Sequence, residues 1–309
     1  LMHIGLLVLI LISQNPQLTV DKFLKFGIWP IIGISLIYGL IQVFGHDPII
    51  WGEKDRVTLL LGNSNYAAQL LGILCIVPIY EICKSRKISI RMFNLLVLMI
   101  TIFLGWKTQA FQFRILAGIG IVSFFAINYR NWIWKNILKV LVSLVFSSIV
   151  VILYTWRNWI TLDLIHRTNV VDRLWLSEQG LRIFADYPMF GIGVEQFGRY
   201  EPAYRAIKQA RLNGNNMVPD KAHNVFIEHL CNGGIFAGIA FLFFIASTIW
   251  IIIKVSLKLV NEINRGHFAL VSSIWVMYVV SLLLSTDMIF IMIISYASLG
   301  LLLKEGDYE

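Results

Sequence analysis

The sequence predicts an all-α polytopic membrane protein of about nine transmembrane helices, with one large exterior loop, and three observations carry that reading. The chain is 58% hydrophobic and only 14% charged, where a soluble domain carries about 25% charged residues and about half apolar ones. Apolar stretches near the roughly 20 residues needed to cross a hydrocarbon core recur from end to end. At this length and spacing, lipid leaves only a helix to satisfy the backbone. The basic residues, finally, gather in the short connections between those stretches. The expectation is a single polytopic domain over residues 1–309, with residues 156–221 inserted between helices as the loop.

The expected spans are Met2–Ser13, Phe26–Phe44, Asn65–Cys83, Met92–Trp106, Phe113–Ile127, Ile137–Tyr154, Ala222–Ile253, Phe268–Ser285 and Met288–Leu303. The chain opens Leu1-Met2, with neither a charged leader region nor a small-residue cleavage site. It reads as the interior of a longer protein whose first spans are missing.

Charge sets the orientation. Lys22 and Lys25 occupy one short loop, and Lys84, Arg86, Lys87 and Arg91 another. Arg130, Lys135 and Lys139 form a third cluster, and Lys254, Lys258 and Arg265 a fourth. Counting spans, all four fall on one side, which the distribution of Lys and Arg makes the cytoplasm. Trp29, Trp106, Trp132, Trp134 and Trp250 sit near predicted helix ends, as interfacial anchors do. The formal net charge of +8 needs no further cause, and without a soluble basic module the sequence excludes nucleic acid as a partner. Cys75, Cys83 and Cys231 lie in apolar stretches, odd in number and without CxxC spacing, and read as small buried hydrophobes.

The opposite side receives the Gly45–Asn63 loop and the long connection from Trp156 to Lys221. A loop of that length inside a compact chain is normally functional. Asp172 reads as the N-cap of an amphipathic helix that runs through Ala185 at the membrane surface and stops before Pro188. Arg173 and Arg182 are nine residues apart and so point to opposite sides of it. Glu178 precedes Arg182 at i, i+4 and pairs with it, which makes Arg173 the freer cation.

Gly191-Ile-Gly193 is a glycine turn, because the third glycine of a dinucleotide loop is replaced by Gln196. Pro202–Leu212 carries a short basic helical pattern with Arg205, Lys208 and Arg211, which reads as a solvated face or, on the exterior surface, as an attraction for phosphate-bearing lipid. Pro219-Asp-Lys-Ala-His223-Asn224 then leads into a long apolar helix. A helix N-terminus disfavours imidazolium and favours an anion nearby, so His223 is a candidate neutral base beside a phosphate site. Glu228 and His229 lack H-E-x-x-H spacing, so no zinc site or other metal is expected.

Taken in order, these stretches resemble the O-antigen ligase and O-antigen polymerase superfamily of bacterial membrane glycosyltransferases. The likeness rests on Gly62-Asn-Ser-Asn65 at a helix start, Arg173-Leu-Trp175, Asp186-Tyr-Pro-Met-Phe-Gly-Ile-Gly193 with Phe197, and Ala222-His223-Asn224 leading to Gly233-Gly234 and Gly238. The resemblance implies a GT-C-like fold in the bacterial inner membrane, with the active site facing the periplasm. It implies transfer of a glycan from an undecaprenyl-diphosphate-linked donor to a glycan, lipid A-core or protein acceptor, in lipopolysaccharide or other polysaccharide biosynthesis, without cofactor or metal. The family's loop arginine maps onto Arg173 and its histidine onto His223, with Asn224 beside it in the diphosphate site. Its second arginine maps onto Arg114, which in Thr108-Gln-Ala-Phe111-Gln-Phe-Arg114 sits about one helical turn later than the family's Ser-Arg-Gly motif places it.

Two other readings compete. A transporter or flippase for a lipid-linked or polyanionic substrate would show paired halves with helices broken at matching positions, and the sequence shows no such symmetry. A scaffolding subunit would leave the Arg and His constellation without a purpose.

Overall fold

A computed structural model describes residues 2–53, 55–136, 139, 168–205, 219–258 and 262–306. Every regular element among them is helical. Among the described residues six helices are long and apolar enough to cross a membrane: Val20–Val43, Ser64–Lys84, Ile88–Lys107, Phe111–Asn128, Val225–Lys258 and Arg265–Leu284, with Ile289–Lys304 a shorter apolar helix. The expected Ile137–Tyr154 span lies almost wholly outside the described residues. The chain divides into two compact units: Leu1–Asn128 with Thr248–Ser281 and Asp287–Glu309, and Tyr129–Ser247 with Leu282–Thr286.

In the first unit, α1 (Met2–Ser13) precedes a longer helical run: α2 (Val20–Phe23), a π turn (Leu24–Ile28) and α3 (Trp29–Val43). Lys22 and Lys25 therefore lie inside a helix, not in the expected loop. Thr19 caps the run, its hydroxyl accepting from Lys22 N at 3.3 Å. The π turn has a local cause in Pro30, which lacks an N–H and whose ring would crowd the carbonyl of Phe26. Asn63 starts α4 (Ser64–Leu74), its Oδ1 accepting from Asn65 N at 2.8 Å, which accounts for the asparagine of the Gly-Asn-Ser-Asn stretch. Helices α5 (Ile76–Lys84), α6 (Ile88–Lys107) and α7 (Phe111–Asn128) follow, and the short α8 (Arg130–Lys135) belongs to the second unit.

The basic connections meet at one end of this unit. Lys84 pairs with Asp21 at 2.5 Å. Lys304 donates to the carbonyls of Asn15, Pro16 and Leu18 at 2.9–3.2 Å. At the other end Val57 N donates to the Lys107 carbonyl at 3.2 Å.

The second unit holds α9 (Thr168–Asp186), α10 (Phe197–Tyr204) and the first part of α11 (Val225–Lys258); α12 (Glu262–Leu284) contributes only its last turn, and α13 (Ile289–Gly306) belongs to the first unit. Helix α9 begins one turn before the expected start, so Asp172 is an internal residue and not its N-cap. A capping preference of about 1 kcal/mol does not fix a boundary that the preceding residues can extend. Its apolar stripe is buried in protein: Leu176 and Ile183 join Phe197, Ala222 and Cys231 in one core. Arg205, expected on a solvated face, pairs at 2.5 Å with Glu201, a carboxylate with no exposure. The basic pattern beyond it, at 206–212, lies outside the described residues.

Helix α11 is not one rod. At about 1.5 Å per residue its 34 residues would reach roughly 51 Å, well beyond a hydrocarbon core of about 30 Å. It breaks at Gly234, where φ is 68° and ψ −164°. A break frees carbonyls on one side and an N–H on the other, and apolar surroundings oblige them to find partners. The loop after α9 supplies these partners. Ile192 N donates to Cys231 O at 2.8 Å, Gly193 N to Asn232 O at 2.9 Å, and Ile235 N to Pro188 O at 2.8 Å.

Two glycines let the backbones come this close. A Cβ on Gly191 (φ +67°) would stand 2.5 Å from the Cys231 carbonyl oxygen, and one on Gly234 would stand 2.2 Å from that of Met189. Gly191→Ala and Gly234→Ala each are expected to destabilise the protein by about 1–3 kcal/mol. Gly118→Ala, with open space around it, should leave thermal denaturation within about 0.5 kcal/mol of the parent. Equal effects at all three positions would contradict the backbone contact.

Candidate active site

The loop–helix clasp fixes the approach of α9 to the segment just before α11. The two meet at Gly180, where an added Cβ would lie 2.5 Å from Ile227 Cγ2 and 3.4 Å from Ala222 Cβ. Arg173 stands seven residues before Gly180, two turns along the same face, in line with buried Leu176 and Ile183. That face brings Arg173 inward. Arg182, on the other side, is more than half exposed and pairs with Glu178 at 2.6 Å, as its i, i+4 spacing predicts.

Arg173 is partly buried and donates from Nη1 to the carbonyl oxygen of Leu284. Leu284 ends α12, so that carbonyl is one of the terminal acceptors a helix cannot satisfy internally, at its negative end. The expectation of a freer cation is corrected here. One partner is a backbone oxygen, which has no signature in the sequence.

His223 occupies a position few side chains adopt, with φ at 53°. A non-glycine residue there costs on the order of 1–2 kcal/mol. The next residue anchors it: Asn224 Oδ1 accepts from Phe226 N at 3.1 Å and Ile227 N at 3.3 Å, capping α11. Asn224 thus faces the helix with its oxygen, and Nδ2 is the donor it has to offer elsewhere. His223 Nδ1 is buried without a hydrogen-bond partner. Leaving such an atom unpaired costs about 1–3 kcal/mol, which a hydrogen-bonding ligand atom would offset.

Burial, first, and the positive charge of Arg173, second, hold the His223 imidazole below its ordinary pKa. Asp220 opposes them and Lys221 adds to them. Sequence reasoning reached the neutral ring through the helix dipole; the structure finds desolvation and a neighbouring guanidinium. Arg173 and His223 therefore lie within electrostatic reach in one unit. Arg114 belongs to the other unit, in the first turn of α7, where its guanidinium stacks 4.8 Å from the centre of the Trp106 ring.

Two positions that sequence reasoning passed over support this arrangement. Gly180 allows the close approach of α9, and its seven-residue spacing from Arg173 was the available signal. Tyr204 donates to Asp186 Oδ2 at 2.6 Å, tying the end of α10 to the end of α9. The same carboxylate pushes the Tyr204 phenol up to about 12.

Because Arg173 disfavours imidazolium, removing its charge must raise the His223 pKa. In Arg173→Gln the midpoint is expected to move up yet stay below 6.5, since burial, the larger cause, remains. Ring carbon NMR titration, assigned by comparison with His223→Ala, measures it. A midpoint that stays put or falls would show that the two groups do not interact.

Comparison with known proteins adds one finding. No curated protein matches the chain. A protein-family model described as O-antigen ligase matches residues 85–242, just over half of the 309 residues. That stretch contains Arg114, Arg173, the glycine loop, His223, Asn224 and the break at Gly234. By that match, the chain belongs to the O-antigen ligase family.

Proposed function

We infer that this multi-pass membrane protein of the O-antigen ligase family acts in glycosyl transfer for surface polysaccharide biosynthesis. We propose that it transfers a glycan from an undecaprenyl-diphosphate-linked donor to an acceptor hydroxyl, at a site facing the periplasm from the bacterial inner membrane. The observation that carries this reading is His223. It is a strained, half-buried imidazole whose buried Nδ1 has no hydrogen-bond partner and which a neighbouring Arg173 helps keep neutral.

Neutral imidazole is the form that accepts a proton. In the proposed reaction the acceptor oxygen attacks the anomeric carbon of the donor, and the bond from that carbon to the diphosphate oxygen breaks. The hydroxyl proton passes to His223, and the bonding electron pair leaves with the diphosphate. Arg173 meets the charge that accumulates there, since a guanidinium fork matches phosphate oxygens and acts strongly where water is thin. Asn224 Nδ2 serves as a further contact to the diphosphate. With arginine neutralising the leaving group, the transfer takes place directly and without a metal.

A transfer assay with the lipid-linked donor, in membranes where each variant is shown to be folded, tests this. His223→Ala is expected to lose about 10²–10⁴-fold in rate, and Arg173→Ala about 10²–10³-fold. Arg182→Ala removes only an exposed ion pair worth about 0.3–0.5 kcal/mol, and should keep activity within about threefold. Full activity in His223→Ala would remove the assignment of the base.

A further inference from the structure

The first unit contains a cavity of about 600 Å³ between the end of α3, the Gly45–Asn63 loop and Lys107. That size lies in the range of roughly 300–1,000 Å³ usual for small-ligand sites. It sits at the end of the unit away from the Lys84 and Lys304 contacts, because α3 and α6 both run from that basic end toward it.

Its wall is built, not incidental. Gln42 Nε2 donates to Asp47 Oδ2 at 2.7 Å and to Thr58 Oγ1 at 3.0 Å, while its Oε1 accepts from Thr58 N and Leu59 N at 3.2 and 2.9 Å. Asp47 Oδ1 accepts from Tyr38 at 2.5 Å and from Ile49 N at 3.0 Å. Trp51 Nε1 donates to the same Tyr38 hydroxyl at 3.2 Å, and its ring lies over Gly62, where a Cβ would stand 2.8 Å away. One indole is thus locked into the lining.

Glu53 Oε1 accepts from Ser64 N at 3.4 Å, but two features of the cavity stay unsatisfied. Glu53 Oε2 is buried without a hydrogen-bond partner and faces Arg56 only as an ion pair at 3.8 Å. Ile50, at the rim, is 95% exposed. Both would gain from a ligand, the first from a hydroxyl donor and the second from an apolar cover.

The chemistry of the lining selects the ligand. Trp51, Ile49 and Ile50 offer apolar surface, whereas Glu53, Asp55 and Arg56 offer acceptors and donors. A hydrocarbon tail would strand those charges, and a polyanion would meet three carboxylates, Asp47, Glu53 and Asp55, against the two cations Arg56 and Lys107. A pyranose ring has one face of weakly positive C–H bonds, suited to the negative face of an indole, and a rim of hydroxyls that both donate and accept. We propose that this cavity is a saccharide-binding site, with Trp51 as the stacking platform and Glu53 and Arg56 as the hydroxyl contacts. It requires nothing of the chemistry assigned to His223.

Saturation-transfer NMR on the full chain in nanodiscs tests it, with N-acetylglucosamine, galactose and glucuronic acid as probes. At least one probe is expected to bind, and to bind equally to His223→Ala, which separates this site from the proposed transfer. Trp51→Ala should abolish the signal. Glu53→Gln keeps the shape of the side chain, and should weaken binding about three- to tenfold at unchanged thermal stability. If no probe binds, or if Trp51→Ala and Glu53→Gln both bind as the parent does, the proposal is wrong.

Discussion

A membrane-entering helix that breaks must give its freed backbone groups new partners, and the candidate site depends on how this chain does so. The carbonyls of Cys231 and Asn232 and the N–H of Ile235 are met by the backbone of residues 188–193. The exchange holds the end of α9 against the break in α11. The Gly180 contact then fixes the direction of α9, and with it the inward face that carries Arg173. Asn224 fixes the first turn of α11 and so the residue before it, His223. Removing water from the imidazole and placing a guanidinium nearby act in the same direction, toward a neutral base. Packing and electrostatics thus reinforce each other here.

The strain at His223 fits this picture. A left-handed backbone at a residue with a full side chain persists only where its surroundings over-determine it. Here those surroundings are a capped helix on one side and a buried core of Leu176, Ile183, Phe197, Ala222 and Cys231 beneath. The arrangement is mechanical: the glycine-rich loop is not a nucleotide cradle but the backbone partner of a helix break.

Much of the architecture was legible in the sequence, because spans and loop charges are set by a single solvent. The apolar runs gave helices close to their observed bounds. The Glu178–Arg182 pair was legible from spacing alone. What stayed hidden was whatever the backbone supplies. The Leu284 carbonyl that receives Arg173 and the carbonyls that receive the loop carry no residue-type signal. Local rules also misplaced boundaries: Thr19 and a π turn before Pro30 carried Lys22 and Lys25 into a helix, and α9 began a turn before Asp172.

The central claim is that the loop and the broken helix are joined through main-chain hydrogen bonds. Hydrogen–deuterium exchange on the protein in nanodiscs reads those bonds directly, at the amides of Ile192, Gly193 and Ile235. The account predicts protection of all three comparable to the amides inside α11. Exchange at the rate of an open loop would mean that the clasp is absent and that nothing described here holds Arg173 beside His223.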